Sequence, residues 1–152
     1  MITRMVTRLF LIVGFSLLLA ATCSAQGSTP VTLGGTGPTP HLQTVLDGIS
    51  DMLSTNGVKV KVASGDAKSR TVIVDEMKAS GATTLLYVTV NQAHGQRGKV
   101  AAQAFIDGKE VWAEEVRGSF TATSAEGEVR KMLKAINEKL KPHVGGPGFP
   151  KS

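Results

Sequence analysis

Apolar and polar residues alternate along this chain with two different periods, and each period predicts a different element. Leu42, Val45, Leu46, Ile49 and Leu53 recur at helical spacing with Met52 beside them. At 100° per residue they fill an arc of about 120°, the stripe of a helix with one buried face. Thr39 is placed to cap this helix and Pro40 to open it. Asn56-Gly57 ends it, because both residues tolerate the left-handed conformation. Val58, Val60 and Val62 then alternate with Lys59 and Lys61, a half-buried strand whose lysines suit a sheet edge. Residues 64–81 carry two signals. Thr71-Val72-Ile73-Val74 has strand character, whereas Asp75-Glu76-Met77-Lys78-Ala79 continues as a good helix former. The helix is favoured, capped by Asp66, running to Ser80 and stopped by Gly81.

Thr83 to Val90, TTLLYVTV, is apolar on both faces, as a central strand requires. Alternation resumes at Val100, Ala102, Ala104 and Ile106, and Asp107-Gly108 marks a tight hairpin before EVWAEEV at 110–116. Residues 82–116 therefore read as a three-stranded antiparallel meander. A final stripe of Val129, Met132, Leu133, Ile136 and Leu140 predicts a closing helix. Thr123 and Glu126 form its capping box, and Pro142 terminates it. The expected core includes Leu86 and Val88 of the central strand and Leu133 and Ile136 of this helix. The order helix, strand, helix, strand, strand, strand, helix predicts an α/β (α+β) domain. Its four-stranded mixed sheet is packed with three helices, and its first two strands pair in parallel through a right-handed crossover, or at least lie in one sheet.

One segment fits neither period. Residues 9–21, LFLIVGFSLLLAA, are thirteen uncharged positions behind Arg4 and Arg8, followed by Thr22-Cys23-Ser24-Ala25-Gln26. This is the pattern of a secretory signal peptide, and the apolar run is shorter than the ~20 residues of a membrane-spanning helix. Cleavage is expected between Ala25 and Gln26, with Cys23 and Ala25 at the small-residue positions. Cys23 also admits the reading of a lipidated cysteine in a membrane-anchored lipoprotein. Thr22 stands where that pattern has Gly or Ala, so cleavage to a periplasmic or secreted protein is preferred. Residues 26–38 hold the Gly- and Pro-rich run QGSTPVTLGGTGP and read as a linker. Gly34-Gly35-Thr36-Gly37 lacks the Lys-Ser/Thr ending of a phosphate loop. The domain is then residues 39–142, and 143–152, HVGGPGFPKS, is expected to be a disordered tail.

Composition narrows the chemistry. The 152 residues include 17 Lys+Arg, 12 Asp+Glu and one Cys, for a net charge of +5. Removal of residues 1–25 takes two Arg and no acid, leaving 15 basic against 12 acidic residues, or +3. That is mild, and nucleic acid is not an expected partner. The cleaved chain has no thiol nucleophile and no disulfide. His41, His94 and His143 lack a second ligand at metal spacing. No Gly-x-Ser-x-Gly, Ser-x-x-Lys or His-Glu-x-x-His occurs. Glu114 and Glu115 are strand neighbours pointing to opposite faces, and Asp75 and Glu76 are helical neighbours read as solvated. No enzymatic activity, cofactor or metal is expected. Arg130, Lys134 and Lys141 fall within about 40° of one another on the closing helix, away from its apolar stripe. They are candidate contacts for anionic lipid headgroups or cell-wall polymers, as are Arg97 and Lys99 at a hairpin end. An ordinary solvated face is the competing reading. Trp112, the single Trp, is read as core.

Gly81-Ala82 leading into the central strand, the hairpin Gly108-x-x-x-Trp112 and the closing helix together resemble a known group. They are similar to the small α/β domain of bacterial envelope proteins such as the TolB N-terminal domain and the CsgG and LpoB lipoproteins. The resemblance spans about residues 40–141 and its matching residues are structural. It implies a role in envelope assembly or in binding an envelope protein partner. Two other readings stand beside it: an anion-binding module, and a small secreted enzyme of unknown class.

Overall fold

A computed structural model describes residues 29–63, 69–91, 97–119 and 125–152. The elements in order are β1 (Val31–Thr36), α1 (Thr39–Thr55), β2 (Val60–Val62), α2 (Arg70–Ala79), β3 (Thr84–Asn91), β4 (Arg97–Ile106), β5 (Lys109–Ser119) and α3 (Ala125–Leu140). The strands form one sheet in the order β2-β1-β3-β4-β5.

The sheet has five strands, which corrects the four-stranded expectation. The missing strand is β1, inside the segment read as a linker. Val31 and Leu33 are fully buried there. The glycines that suggest a linker lie where neighbours come too close for a side chain. A Cβ on Gly34 would meet Ile73 Cδ1 at 2.7 Å, and one on Gly35 would meet the Val88 carbonyl oxygen at 2.0 Å. β1 also corrects the pairing. It runs parallel to both β2 and β3 and separates them, so the strands at 58–62 and 83–90 are not neighbours. β2 does occupy an edge.

β3, β4 and β5 are the expected antiparallel meander. Asp107 (φ 50°) and Gly108 (φ 79°) both take positive φ, as the tight hairpin turn requires. α1 buries Leu42, Val45, Leu46, Ile49 and Leu53. Its N-cap is Pro38 rather than Thr39, with no side-chain capping bond. α2 is a helix, shorter than expected, with Ile73 and Met77 buried. It closes in a Schellman turn, in which Gly81 N–H donates to Lys78 O and Ala82 N–H to Met77 O, both at 3.1 Å. Thr123 lies outside the described residues, as does Asp66.

Strand alternation sends the sheet's side chains into two cores. Leu33, Leu86, Val88, Val100 and Trp112 pack with α1 and α3, while Leu85, Tyr87 and Phe105 pack beneath α2. α3 buries Val129, Met132, Ile136 and Leu140. Leu133 is only half-buried, against expectation: one side packs on Gly48 at the α1–α3 crossing and the other lines an open depression at the edge of the stripe. A Cβ on Gly48 would stand 2.3 Å from Leu133 Cδ2.

The tail is folded rather than disordered. Lys141–His143 form a short 3-10 turn, and Phe149 is 1% exposed within the main core. Lys151 bridges Val58 in antiparallel pairing, and Ser152 N–H donates to Gly57 O at 2.8 Å. No helix among the described residues is long and apolar enough to cross a membrane.

Candidate functional site

Burying the apolar stripe of α3 leaves the flank of that helix beside α1 open to solvent. Arg130, Lys134 and Lys141 meet there, as their spacing predicts, around one shallow depression of about 290 Å³. Met52 of α1 and Leu133, Asn137 and Glu138 complete its lining. The close crossing at Gly48 brings the two helices near enough to form this wall. Asn137 ties them together, its Nδ2 donating to Gly48 O at 3.3 Å. Two carboxylates moderate the charge. Glu126 pairs with Arg130 at 2.7 Å, and Glu138 lies on the rim. Met52 and Asn137 carry no mark of this role in the sequence, because the crossing that places them is a tertiary feature.

The other candidate bases behave differently. Lys99 is engaged by Glu115 at 3.1 Å, and Arg117 takes the second oxygen of that carboxylate at 2.8 Å. These hydrogen bonds, Arg117 first and then Lys99, hold the Glu115 carboxyl below its usual range. Arg97 stands at the start of β4, where its backbone pairs with Ser119 of β5, and is not among the residues that line the α3 depression. Glu114 points to the opposite face from Glu115, as expected, and pairs with Lys139 of α3 at 2.7 Å. Trp112 is buried as predicted, with its ring 5.8 Å from that of His143. His41 opens α1, and His94 lies outside the described residues. Among the described residues no three His, Cys, Asp or Glu side chains gather as a metal site.

Glu115 supports a direct test. A carboxyl whose folded pKa is lowered contributes stability above its unfolded pKa and loses it as pH falls through the folded value. Its NMR titration midpoint is therefore expected below 4.5, the ordinary glutamate value. The midpoint should rise in Arg117→Gln. An unshifted midpoint in the parent protein would show that the surface pair is not formed in solution.

A second concavity, of about 450 Å³, lies on the other face of the sheet between α2 and the β4–β5 turn. Its wall includes Arg70, whose guanidinium sits 4.1 Å from the Phe105 ring centroid. Burial raises the Tyr87 hydroxyl above its usual pKa, and hydrogen bonding and charge at Arg70 draw it partly back.

No family model matches the chain, and no curated protein matches it. Among solved structures, it is similar to the PelC dodecamer from Paraburkholderia phytofirmans in two crystal forms. In one, identity is 16% and the TM-score 0.44, over 69% of this chain and 85% of that one. In the other the same identity and score cover 72% and 87%. A prolyl-tRNA synthetase from Cryptosporidium parvum follows at 12% identity and TM-score 0.39, covering 78% of this chain and 24% of that one. None of these is a TolB, CsgG or LpoB protein, so the expected resemblance is corrected. Gly81-Ala82, Gly108 and Trp112 are explained locally by a Schellman turn, a hairpin turn and a core position. Cys23, Ala25 and Gln26 lie outside the described residues.

Proposed function

We propose that this chain is an exported, non-enzymatic domain of the cell envelope that binds an acidic protein partner through the α1–α3 depression. The observation that carries this reading is the convergence of Arg130, Lys134 and Lys141 on one concave surface. Export rests on the basic N-terminus, the uncharged run at 9–21 and the small residues before Gln26. The depression offers charge and shape, which suits recognition more than bond breaking. A second reading, an anion-binding module for lipid headgroups or cell-wall polymers, draws on the same three cations. It is favoured by the small size of the depression, which fits a single anionic group.

Replacing all three cations with Gln tests both readings. Lys, Arg and Gln have similar helix propensities, and the Arg130–Glu126 pair is exposed, so thermal stability should hardly change. Retention of the cleaved protein by envelope extracts should fall, and its salt dependence should flatten. Loss of retention on protease treatment of the extract supports the protein partner. Persistence there, with binding to phosphatidylglycerol vesicles, supports the second reading. Equal retention of the triple variant at low salt would sink both.

A further inference from the structure

The cleft under α2 lies on the face of the sheet opposite the α3 depression and stands independently of that reading. We propose that it is a binding site for an amphipathic monocarboxylate, an acyl chain ending in a carboxylate, with Arg70 holding the head and the α2–hairpin cleft taking the chain. α2 lies over β1 and β3 and reaches β4 only through side chains at Phe105, so the cleft opens between it and the hairpin turn. Val74, Met77, Ala82, Leu85 and Phe105 give the lining an apolar character. Its volume of about 450 Å³ falls within the usual range for small-ligand sites.

The charges around this lining choose the head group. Arg70 and Lys78 bring two positive charges and Asp107 one negative, so one cation is in excess. Arg70 is the cation held in a defined pose. Its guanidinium lies over the Phe105 ring, and no carboxylate among the described residues pairs with it. A cation–ring contact is made through a face of the guanidinium and does not use its in-plane N–H donors. Those donors match a carboxylate in a bidentate pair. Arg70 and Lys78 stand at opposite ends of the α2 wall, separated by about 12 Å of helix rise. A medium-length acyl chain can lie along that distance with its head at Arg70. A neutral alcohol would forgo the ion pair, and an ammonium head would be repelled.

Isothermal titration of the cleaved protein with hexanoate, octanoate and decanoate, below their micelle concentrations, tests the proposal. Affinity should rise about fourfold per added methylene until the cleft is filled. Decanol should bind about tenfold more weakly than decanoate, and Arg70→Gln should lose about the same factor. Arg70 is exposed at the start of α2, so this variant should fold as the parent does. Val74→Asp, which sets a negative charge on the wall, should abolish decanoate binding. The triple Gln variant of α3 should bind decanoate as the parent does. No saturable decanoate binding, no dependence on chain length, or equal affinity in Arg70→Gln would each overturn the proposal. So would binding of a short peptide with an apolar C-terminal residue in place of decanoate.

Discussion

Gly35→Ala is expected to destabilise the domain by about 3 kcal/mol, the upper end of the usual cost of overpacking. The added methyl would lie 2.0 Å from the Val88 carbonyl oxygen and 3.1 Å from Leu42 Cδ1. The first obstacle is backbone and cannot swing aside as a side chain can. β1 cannot easily retreat either, since Gly35 is paired with Val88 of β3 and the preceding residues Thr32 and Leu33 are held between β2 and β3. Relief would require opening a ladder, and each orphaned buried backbone group is costly. Gly127→Ala is the internal control. A Cβ there meets nothing within 4 Å, and the position is exposed in α3. The same methyl should stabilise by up to about 1 kcal/mol through helix propensity. Urea unfolding of both variants gives the two signs. A cost for Gly35→Ala within about 0.5 kcal/mol, the range of ordinary surface changes, would show that β1 is not packed in this way.

That comparison also marks where the chain could be read from its residues and where it could not. α1, β3 and α3 bury one or both faces in long regular elements, and one-sided burial writes a visible period into the sequence. The tight turn at Asp107-Gly108 carries its own backbone signature, and the meander follows from it. β1 has no such record. Two of its six residues are glycines, and the space their side chains would fill belongs to Ile73 and to the β3 backbone. A strand whose partners supply its packing looks like a linker when read alone. Once β1 is missed, β2 and β3 are drawn together as neighbours, so one local misreading becomes an error of topology.

The candidate sites divide along the same line. Arg130, Lys134 and Lys141 belong to α3 and its continuation, so helical spacing alone puts them together. Glu126, which holds Arg130, is likewise within one turn of it. Met52 and Asn137 join them only because Gly48 lets α1 and α3 cross closely. The cleft beneath α2 draws Arg70 from a helix start and Phe105 from a hairpin strand far along the chain. Nothing in either segment points to the other. Their meeting depends on the pairing of Leu85 with Phe105 and on where α2 lies over β3.

Phe149→Ala is expected to cost about 3 to 5 kcal/mol, the range for removing a buried aromatic ring from a core. It is a severe test, because only three residues follow Phe149 in the sequence, in a stretch rich in Gly and Pro. Composition there predicts no cost at all. The structure instead makes Phe149 one of the largest fully buried side chains. Its surroundings hold it from several directions. Gly145 N–H donates to Phe149 O at 2.8 Å, and Phe149 N–H donates to Gly146 O at 3.2 Å. Gly148 takes φ +88° where a Cβ would meet Ile106 Cδ1 at 2.6 Å. Lys151 and Ser152 then fasten the end of the chain to Val58 and Gly57. Removing the ring opens a cavity against α1, α3 and the sheet, while these few backbone bonds are too weak to keep the tail docked alone. Chemical denaturation of Phe149→Ala beside a truncation after Gly148 should give comparable losses. If both variants unfold at the parent midpoint, the last residues are a free tail and the core closes without them.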